Sequence, residues 1–411
     1  MSGTLIVGAS QAGLQVATTL RELGDEDPIT LVGCETHLPY QRPPLSKAYL
    51  AGKVGLEGLT FRGEEWYRDH AIDLVLGEKV TSVTLPSDAG TGIAVTAAGR
   101  ELEFERLALT VGGRARRIAV PGSDLDGVCY LRHLDDAGHL RSRMGSAKDI
   151  VVIGGGFIGL EAAAGARAAG KSVTVVDIAD RLLARAVAPM VSEFYLDAHR
   201  RRGTEVLLGT GIKQIIGIDG HVTGVKLASG QTLPADLVLV GVGLQPRMEL
   251  AEQMGLDIDG GIVVGTDART SHPAVVAAGD CTVTTHPDHG SLRLESVQNA
   301  VAQAKVAAAT LLGVVPPTAG IPWFWSDQAD LKLQVAGLNS GYDDVVVRGE
   351  PDSESFSALY YHDGQLISTD SINAPRDYMA VRKILERGGN ISPAAAANPD
   401  IPLKDHLKAI A

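Results

Sequence analysis

Two stretches of this 411-residue chain, residues 4–35 and 149–177, repeat one pattern: an apolar run, a glycine-rich turn, a helix-length segment, and a second apolar run ending in a carboxylate. Such a repeat reads as two β-α-β units and commits the chain to parallel sheets flanked by helices. In the first copy Gly8-Ala9-Ser10-Gln11-Ala12-Gly13 is followed by Glu35, 22 residues beyond Gly13. In the second, Gly154-Gly155-Gly156-Phe157-Ile158-Gly159 is followed by Asp177, 18 residues beyond Gly159. Both spacings fit a dinucleotide fingerprint, in which glycines permit the tight turn and the helix-strand contact, the helix N-terminus receives a pyrophosphate, and the acid accepts ribose hydroxyls. Ser10 replaces the middle glycine of the first copy, and its small hydroxyl can itself donate to a phosphate. Two dinucleotides are expected. At the second site the Asp177 carboxylate suits a free 2′-hydroxyl and repels a 2′-phosphate, so NADH is expected over NADPH, with Arg181 and Arg185 as the opposing basic residues.

Length implies about two or three domains. The net charge of −12 argues against a general nucleic-acid or anionic-membrane binder, because the long-range field repels phosphate. No apolar run approaches the roughly 18 residues of a membrane span, and the N-terminus enters an apolar strand at Leu5 without a readable export signal. Cys34, Cys129 and Cys281 are far apart with no C-x-x-C, so neither a disulfide framework nor a metal site is expected and a cytoplasmic setting fits. Alternating stretches at 93–97 and 102–107 read as antiparallel strands inserted between the copies. Strands are expected at 205–208, 222–227, 237–241 and 275–278, the last ending at Gly279-Asp280 where the chain returns to the first domain. An alanine-rich helix at 296–312 precedes Pro316-Pro317 and the aromatic run Pro322-Trp323-Phe324-Trp325, which reads as a boundary.

The two fingerprints, with Gly279-Asp280-Cys281, resemble the two-dinucleotide flavoprotein reductases of the glutathione reductase structural class. Within it, Leu38-Pro39-Tyr40-Gln41-Arg42-Pro43-Pro44-Leu45-Ser46-Lys47, Glu295-Ser296-Val297-Gln298-Asn299-Ala300 and Pro322-Trp323-Phe324-Trp325-Ser326-Asp327-Gln328 resemble the NADH-dependent ferredoxin reductases of cytochrome P450 and Rieske-type oxygenase systems. The resemblance implies an α/β fold of two Rossmann-like domains, for FAD (residues 1–112 and 244–320) and NAD (113–243), plus a C-terminal α+β domain (321–411). It places Gly8, Ser10, Ala12, Gly13, Glu35, Arg42, Lys47, Val80, Arg132, Asp280 and Val297 at the FAD, although composition alone makes Val80 and Val297 core residues. It places Gly154, Gly156, Ile158, Gly159, Glu161, Asp177, Arg185 and Gly243 at the NAD. Residues 108–114 resemble the family's Ala-Thr-Gly turn, with Val111 where threonine is usual.

Disulfide reductases of this class need a cysteine pair beside the flavin, yet the stretch here reads Pro44-Leu45-Ser46-Lys47. Cys34 and Cys281 read as buried small apolar residues. Electrons are therefore expected to leave directly from the flavin, singly, to a [2Fe-2S] ferredoxin serving a P450 or Rieske-type oxygenase. Lys47 and Glu161 are expected to pair and to position the nicotinamide; the alternatives are a surface lysine and a helix-start glutamate that complements the macrodipole. Trp325 is expected to help electron exit, with boundary packing as the alternative. Lys305, Arg382, Lys383 and Arg387 are the basic docking candidates, in a chain whose part from 321 onward holds 8 Lys/Arg against 13 Asp/Glu. An NADH oxidase, a quinone or monodehydroascorbate reductase, and a flavin redox sensor resembling apoptosis-inducing factors remain open on the same scaffold.

Overall fold

The computed structural model describes residues 3–86, 91–286, 290–318 and 320–409. The chain forms two compact units, the first from Met1–Gln41, Leu56–Arg114 and Gln245–Gly320, the second from Arg42–Gly55, Ala115–Leu244 and Ile321–Ala411.

In the first unit Thr4–Val7 lies at the centre of a five-stranded sheet, flanked by Arg106–Leu109 and Ile29–Gly33, with Val275–Ala277 and Ile72–Leu76 at the edges. Every pairing is parallel. A central parallel strand is covered on both faces, which is why Thr-Leu-Ile-Val is buried throughout rather than alternating. The helix Gln11–Glu22 connects the first two strands and buries Leu14, Val16, Ala17 and Leu20. Against it packs Val297–Leu311, whose Ala300, Ala304, Ala307 and Ala308 lie in the same core; small side chains let the helices approach closely. Ser296 starts that helix by accepting from the Asn299 amide at 3.1 Å.

Expected strands agree with observed ones to within about two residues, with one difference of substance. Residues 102–107 are not one antiparallel strand. Glu101–Phe104 alternates exposed and buried in an antiparallel sheet with Gly92–Thr96 and Val80–Thr84, whereas Arg106–Leu109 enters the parallel sheet beside Thr4–Val7. The alternation of Leu102 and Phe104 breaks at Glu105-Arg106, and the apolar positions resume out of phase at Leu107 and Leu109.

In the second unit Asp149–Ile153 is central to another parallel sheet, ordered Glu205–Leu207, Ser172–Val176, Asp149–Ile153, Leu237–Val240, Val128–Tyr130. An antiparallel sheet of Ile212–Ile218, His221–Leu227 and Thr232–Pro234 is inserted before Leu237–Val240, the last strand of the parallel sheet in chain order, and the helix Pro189–Arg201, not anticipated from the sequence, shares a core with the parallel sheet through Val191, Tyr195 and Ala198. From Trp323 onward an antiparallel five-stranded sheet forms in the order Trp323–Gln328, Leu331–Gly337, Gln365–Ile372, Ser355–His362, Asp344–Glu350, with the helix Pro375–Glu386 packed on it. Leu331, Leu333, Phe356, Ala358, Tyr360 and Ile372 of this sheet share one core with Leu160, Ala163, Val191 and Tyr195. The described residues contain no helix long and apolar enough to cross a membrane and no cluster of acidic, histidine or cysteine side chains able to hold a metal.

That core encloses a carboxyl group. Asp370 is fully buried, accepts from the Tyr360 hydroxyl at 2.7 Å, and leaves Oδ1 without a hydrogen-bond partner among the described residues. Burial pushes its pKa up to about 7. The folded state then holds a proton that the unfolded state has released above roughly pH 4, so this group's contribution to stability is fully present below that pH and is lost as pH rises through about 7. Urea unfolding between pH 4.5 and 7.5 should show this decline, and Asp370→Asn should flatten it and leave the protein more stable than wild type at pH 7.5.

Candidate functional site

The first fingerprint closes at the carboxyl edge of the first unit's sheet. Gly8 has φ +119°, and a Cβ there would stand 2.2 Å from the Thr110 carbonyl oxygen; one on Gly13 would stand 1.9 Å from that of Gly8. Both glycines are thus required by the chain's own packing. Ser10 is the extended residue before the helix, and its side chain does not cap that helix. The Thr110 hydroxyl lies 2.9 Å from the Gly8 carbonyl and 3.1 Å from that of Val7, so the residue preceding Val111 supplies the hydroxyl of this turn. Ala12 is buried and would touch a Cβ added to Gly279, which has φ +88°. The sharp turn at Gly279 brings Asp280 to the same sheet edge, and Gln303 accepts from the Gly279 amide at 2.8 Å and the Thr282 hydroxyl at 2.9 Å. Glu35 follows the second strand and accepts from the Tyr40 hydroxyl at 2.5 Å. Val80 is buried in a core with Val7 and Val75, and Val297 opens its helix half-buried.

Ligands of doubly wound sheets bind outside the carboxyl ends of the strands, where Gly8, Glu35 and Asp280 all stand. Arg42, Lys47 and Arg132 belong to the second unit. There the Arg42 guanidinium donates to the Arg132 carbonyl at 2.7 Å and lies 3.2 Å from His133 Nδ1.

The second fingerprint has all three glycines, and the structure separates their duties. A Cβ on Gly154, at φ +108°, would stand 2.3 Å from the Gly241 carbonyl oxygen, and one on Gly159 would stand 2.2 Å from that of Gly154. A Cβ on Gly156 would meet nothing within 4 Å, so packing does not require this glycine. It stands at the N-terminus of Phe157–Ala168, where a bare backbone leaves the helix amides open to an anion such as a diphosphate. Ile158 is exposed beside it. The Asp177 carboxylate accepts from the amides of Gly155 at 2.6 Å and Ala179 at 2.9 Å, fixing the turn while keeping lone pairs for a further donor. Arg181 turns inward, donating to the carbonyls of Val187 and Ala184 and to Ser192, whereas Arg185 reaches the open Gly243 turn, where its Nη2 would stand 3.3 Å from an added Cβ.

Lys47 and Glu161 form an ion pair of 2.8 Å, with side-chain exposures of 19% and 2%. The Ser46 hydroxyl donates to Glu161 at 2.5 Å and the Ser326 hydroxyl at 2.6 Å. These two serines stood in quoted motifs without a role; period-two alternation along Trp323–Gln328 is the signal that marks Ser326 as sharing a face with Phe324 and Gln328. That face is packed: Phe324 meets Phe157 at 4.6 Å between ring centroids, and Gln328 Oε1 lies 2.8 Å from His199 Nε2. Trp323 and Trp325 take the other face, 6.1 Å apart, with Arg382 over Trp323 and also paired with Glu386 at 2.8 Å.

All three cysteines are free. Burial pushes the Cys129 thiol up to about 11 and Cys281 up to about 12, so neither is a thiolate at neutral pH. Cys34 is exposed, contrary to expectation, because it lies just past the last residue of Ile29–Gly33, where the chain leaves the sheet.

Residues 3–304 match the family described as pyridine nucleotide-disulphide oxidoreductase, and residues 323–407 match the reductase C-terminal domain. The chain belongs to the pyridine nucleotide-disulphide oxidoreductase family, whose members are oxidoreductases that bind FAD and NAD(P)H. Its similarity to ferredoxin reductases runs the full length. It is 44% identical to rhodocoxin reductase of Rhodococcus erythropolis over 97% of this chain and 93% of that protein. The crystal structure of the ferredoxin reductase for the CYP199A2 system of Rhodopseudomonas palustris superposes with a TM-score of 0.95 at 43% identity, covering 100% of both chains. Putidaredoxin reductase, in its covalent complex with putidaredoxin, gives 0.95 at 38% identity over 100% of this chain and 99% of that one.

The unequal duties of the glycines give a test. Gly156→Val should leave the thermal midpoint within about 2 °C of wild type while weakening NAD binding at least roughly tenfold by fluorescence titration, whereas Gly159→Val should lower the midpoint by many degrees.

Proposed function

We propose that this protein oxidises NADH and passes the electrons, one at a time, from a bound FAD to a [2Fe-2S] ferredoxin that supplies a P450 or Rieske-type oxygenase. The observation that carries this reading is full-length similarity to ferredoxin reductases, C-terminal domain included, in a chain whose Pro44–Lys47 stretch has no thiol. FAD, when bound, supplies the conversion of a two-electron hydride donor into a one-electron donor.

The chain's own residues have distinct tasks in this reading. The helix amides behind Gly8 and Gly154 hold the two diphosphates, and Glu35 and Asp280 take hydroxyls of the flavin nucleotide. Val80 and Val297 supply apolar and backbone contacts to that nucleotide, and Arg42 and Arg132, in the second unit, are cationic candidates for a nucleotide's phosphates. Gly156, Ile158 and Gly243 leave room for the nicotinamide nucleotide, while Lys47, neutralised by Glu161, presents an oriented ammonium where hydride passes. The preference for NADH rests on Asp177, whose charge opposes a 2′-phosphate, and on Arg181, three of whose five donors are already engaged by the chain itself. Trp325, on the face of its strand opposite Ser326, is the candidate for the electron exit.

Anaerobic stopped-flow mixing of the NADH-reduced protein with [2Fe-2S] ferredoxin, oxygen or a quinone tests the acceptor. Fastest reoxidation by ferredoxin is expected; equal or faster reaction with oxygen or quinone would make it an oxidase or quinone reductase, and slow reaction with every acceptor would favour a sensor. Steady-state kcat/KM should favour NADH over NADPH by at least about tenfold, or roughly 1.4 kcal/mol.

A further inference from the structure

The ion pair of Lys47 and Glu161 continues into a polar chain that crosses the interior of the second unit. His199 is buried, and its Nε2 faces Gln328 Oε1 at 2.8 Å. Gln328, also buried, donates through Nε2 to Ser326 Oγ at 3.3 Å, and the Ser326 hydroxyl donates to Glu161 Oε1 at 2.6 Å. The other oxygen, Oε2, takes Ser46 and Lys47.

The direction of this chain is determined by its first member. An amide oxygen facing His199 requires that Nε2 carry a proton. The Gln328 amide group then faces Ser326, whose oxygen accepts it and whose single proton is left for Glu161. Were Nε2 the acceptor, Gln328 would turn over, its oxygen would compete for the Ser326 proton, and Glu161 would lose one of its three donors. Burial holds His199 in its neutral form by pulling its pKa down, so the ring carries one proton and its placement matters.

We propose that His199 and Gln328 are positioning residues for hydride transfer: through Ser326 they fix the Glu161 carboxylate, and through it the Lys47 ammonium. They touch neither nucleotide in this scheme. The proposal rests on the reading of the Lys47–Glu161 pair as part of the NADH-oxidising site.

The test is a double-mutant cycle of Gln328→Met and Glu161→Gln in the FAD-loaded protein, read by the rate of flavin bleaching on mixing with NADH, with the Kd for NAD measured separately. A second readout independent of turnover is the labelling rate of Lys47 by an amine-reactive ester, mapped by mass spectrometry. Gln328→Met should slow bleaching about three- to tenfold with little change in the NAD Kd, and should speed Lys47 labelling. In the Glu161→Gln background the same change should have no further effect. Ser326→Ala should reproduce the result and serves if Gln328→Met does not fold. Losses that simply multiply, or folded variants with unchanged bleaching and labelling, would overturn the relay while leaving the pair's role intact. Unchanged bleaching in Glu161→Gln alone would overturn the pair's role and the relay with it.

Discussion

An ionised carboxylate inside a protein is costly unless its oxygens are saturated by donors, and Glu161 is the place where this chain meets that condition. Its three donors come from two separate stretches, Ser46 and Lys47 from the turn after Arg42, and Ser326 from the strand Trp323–Gln328. The carboxylate itself stands on the first turns of the second fingerprint helix. One charge therefore ties the nucleotide turn, the proline-stiffened segment and the C-terminal sheet together. A loss of register in any of them leaves a buried charge short of partners, a far larger penalty than the small gain a surface ion pair provides.

The strand Trp323–Gln328 resolves two demands by alternation. Its even-numbered residues, Phe324, Ser326 and Gln328, face the helices Phe157–Ala168 and Pro189–Arg201, and the apolar contact of Phe324 with Phe157 sets the spacing at which the polar contacts of Ser326 and Gln328 form. Trp323 and Trp325 are left to the opposite face. A guanidinium stacked on Trp323 and paired with Glu386 keeps that face polar at its edge, so of the basic docking candidates Arg382 already has intramolecular partners.

Both fingerprints, their terminal acids and the return at Gly279-Asp280 were legible because turn geometry imposes residue types locally: a glycine with a backbone carbonyl at 2.2 Å admits no substitute. The division at Glu105 leaves only a faint mark, the shift of the apolar positions from Leu102 and Phe104 to Leu107 and Leu109; that Arg106–Leu109 takes a parallel partner is decided by packing. The commitments of Asp177 and Arg181 to the chain's own backbone were hidden for a related reason, because a side chain's first hydrogen-bond partner depends on which turn folds beneath it. Ser326, Gln328 and His199 lie up to 129 residues apart and carry no local signature; their relation exists only through packing.

The family's name refers to disulfide chemistry, and the segment 44–47 holds no thiol. Ser46 and Lys47 occupy this segment, and both are engaged by Glu161. A thiol at position 46 would be a weaker donor to that carboxylate, and a thiolate beside it would add a second buried negative charge. The remaining cysteines are no substitute: Cys129 and Cys281 are buried in apolar cores that suppress their ionisation, and Cys34 is solitary at a strand end. Ser46 and Lys47 are thus committed to the buried carboxylate, and none of the three free cysteines stands in their segment.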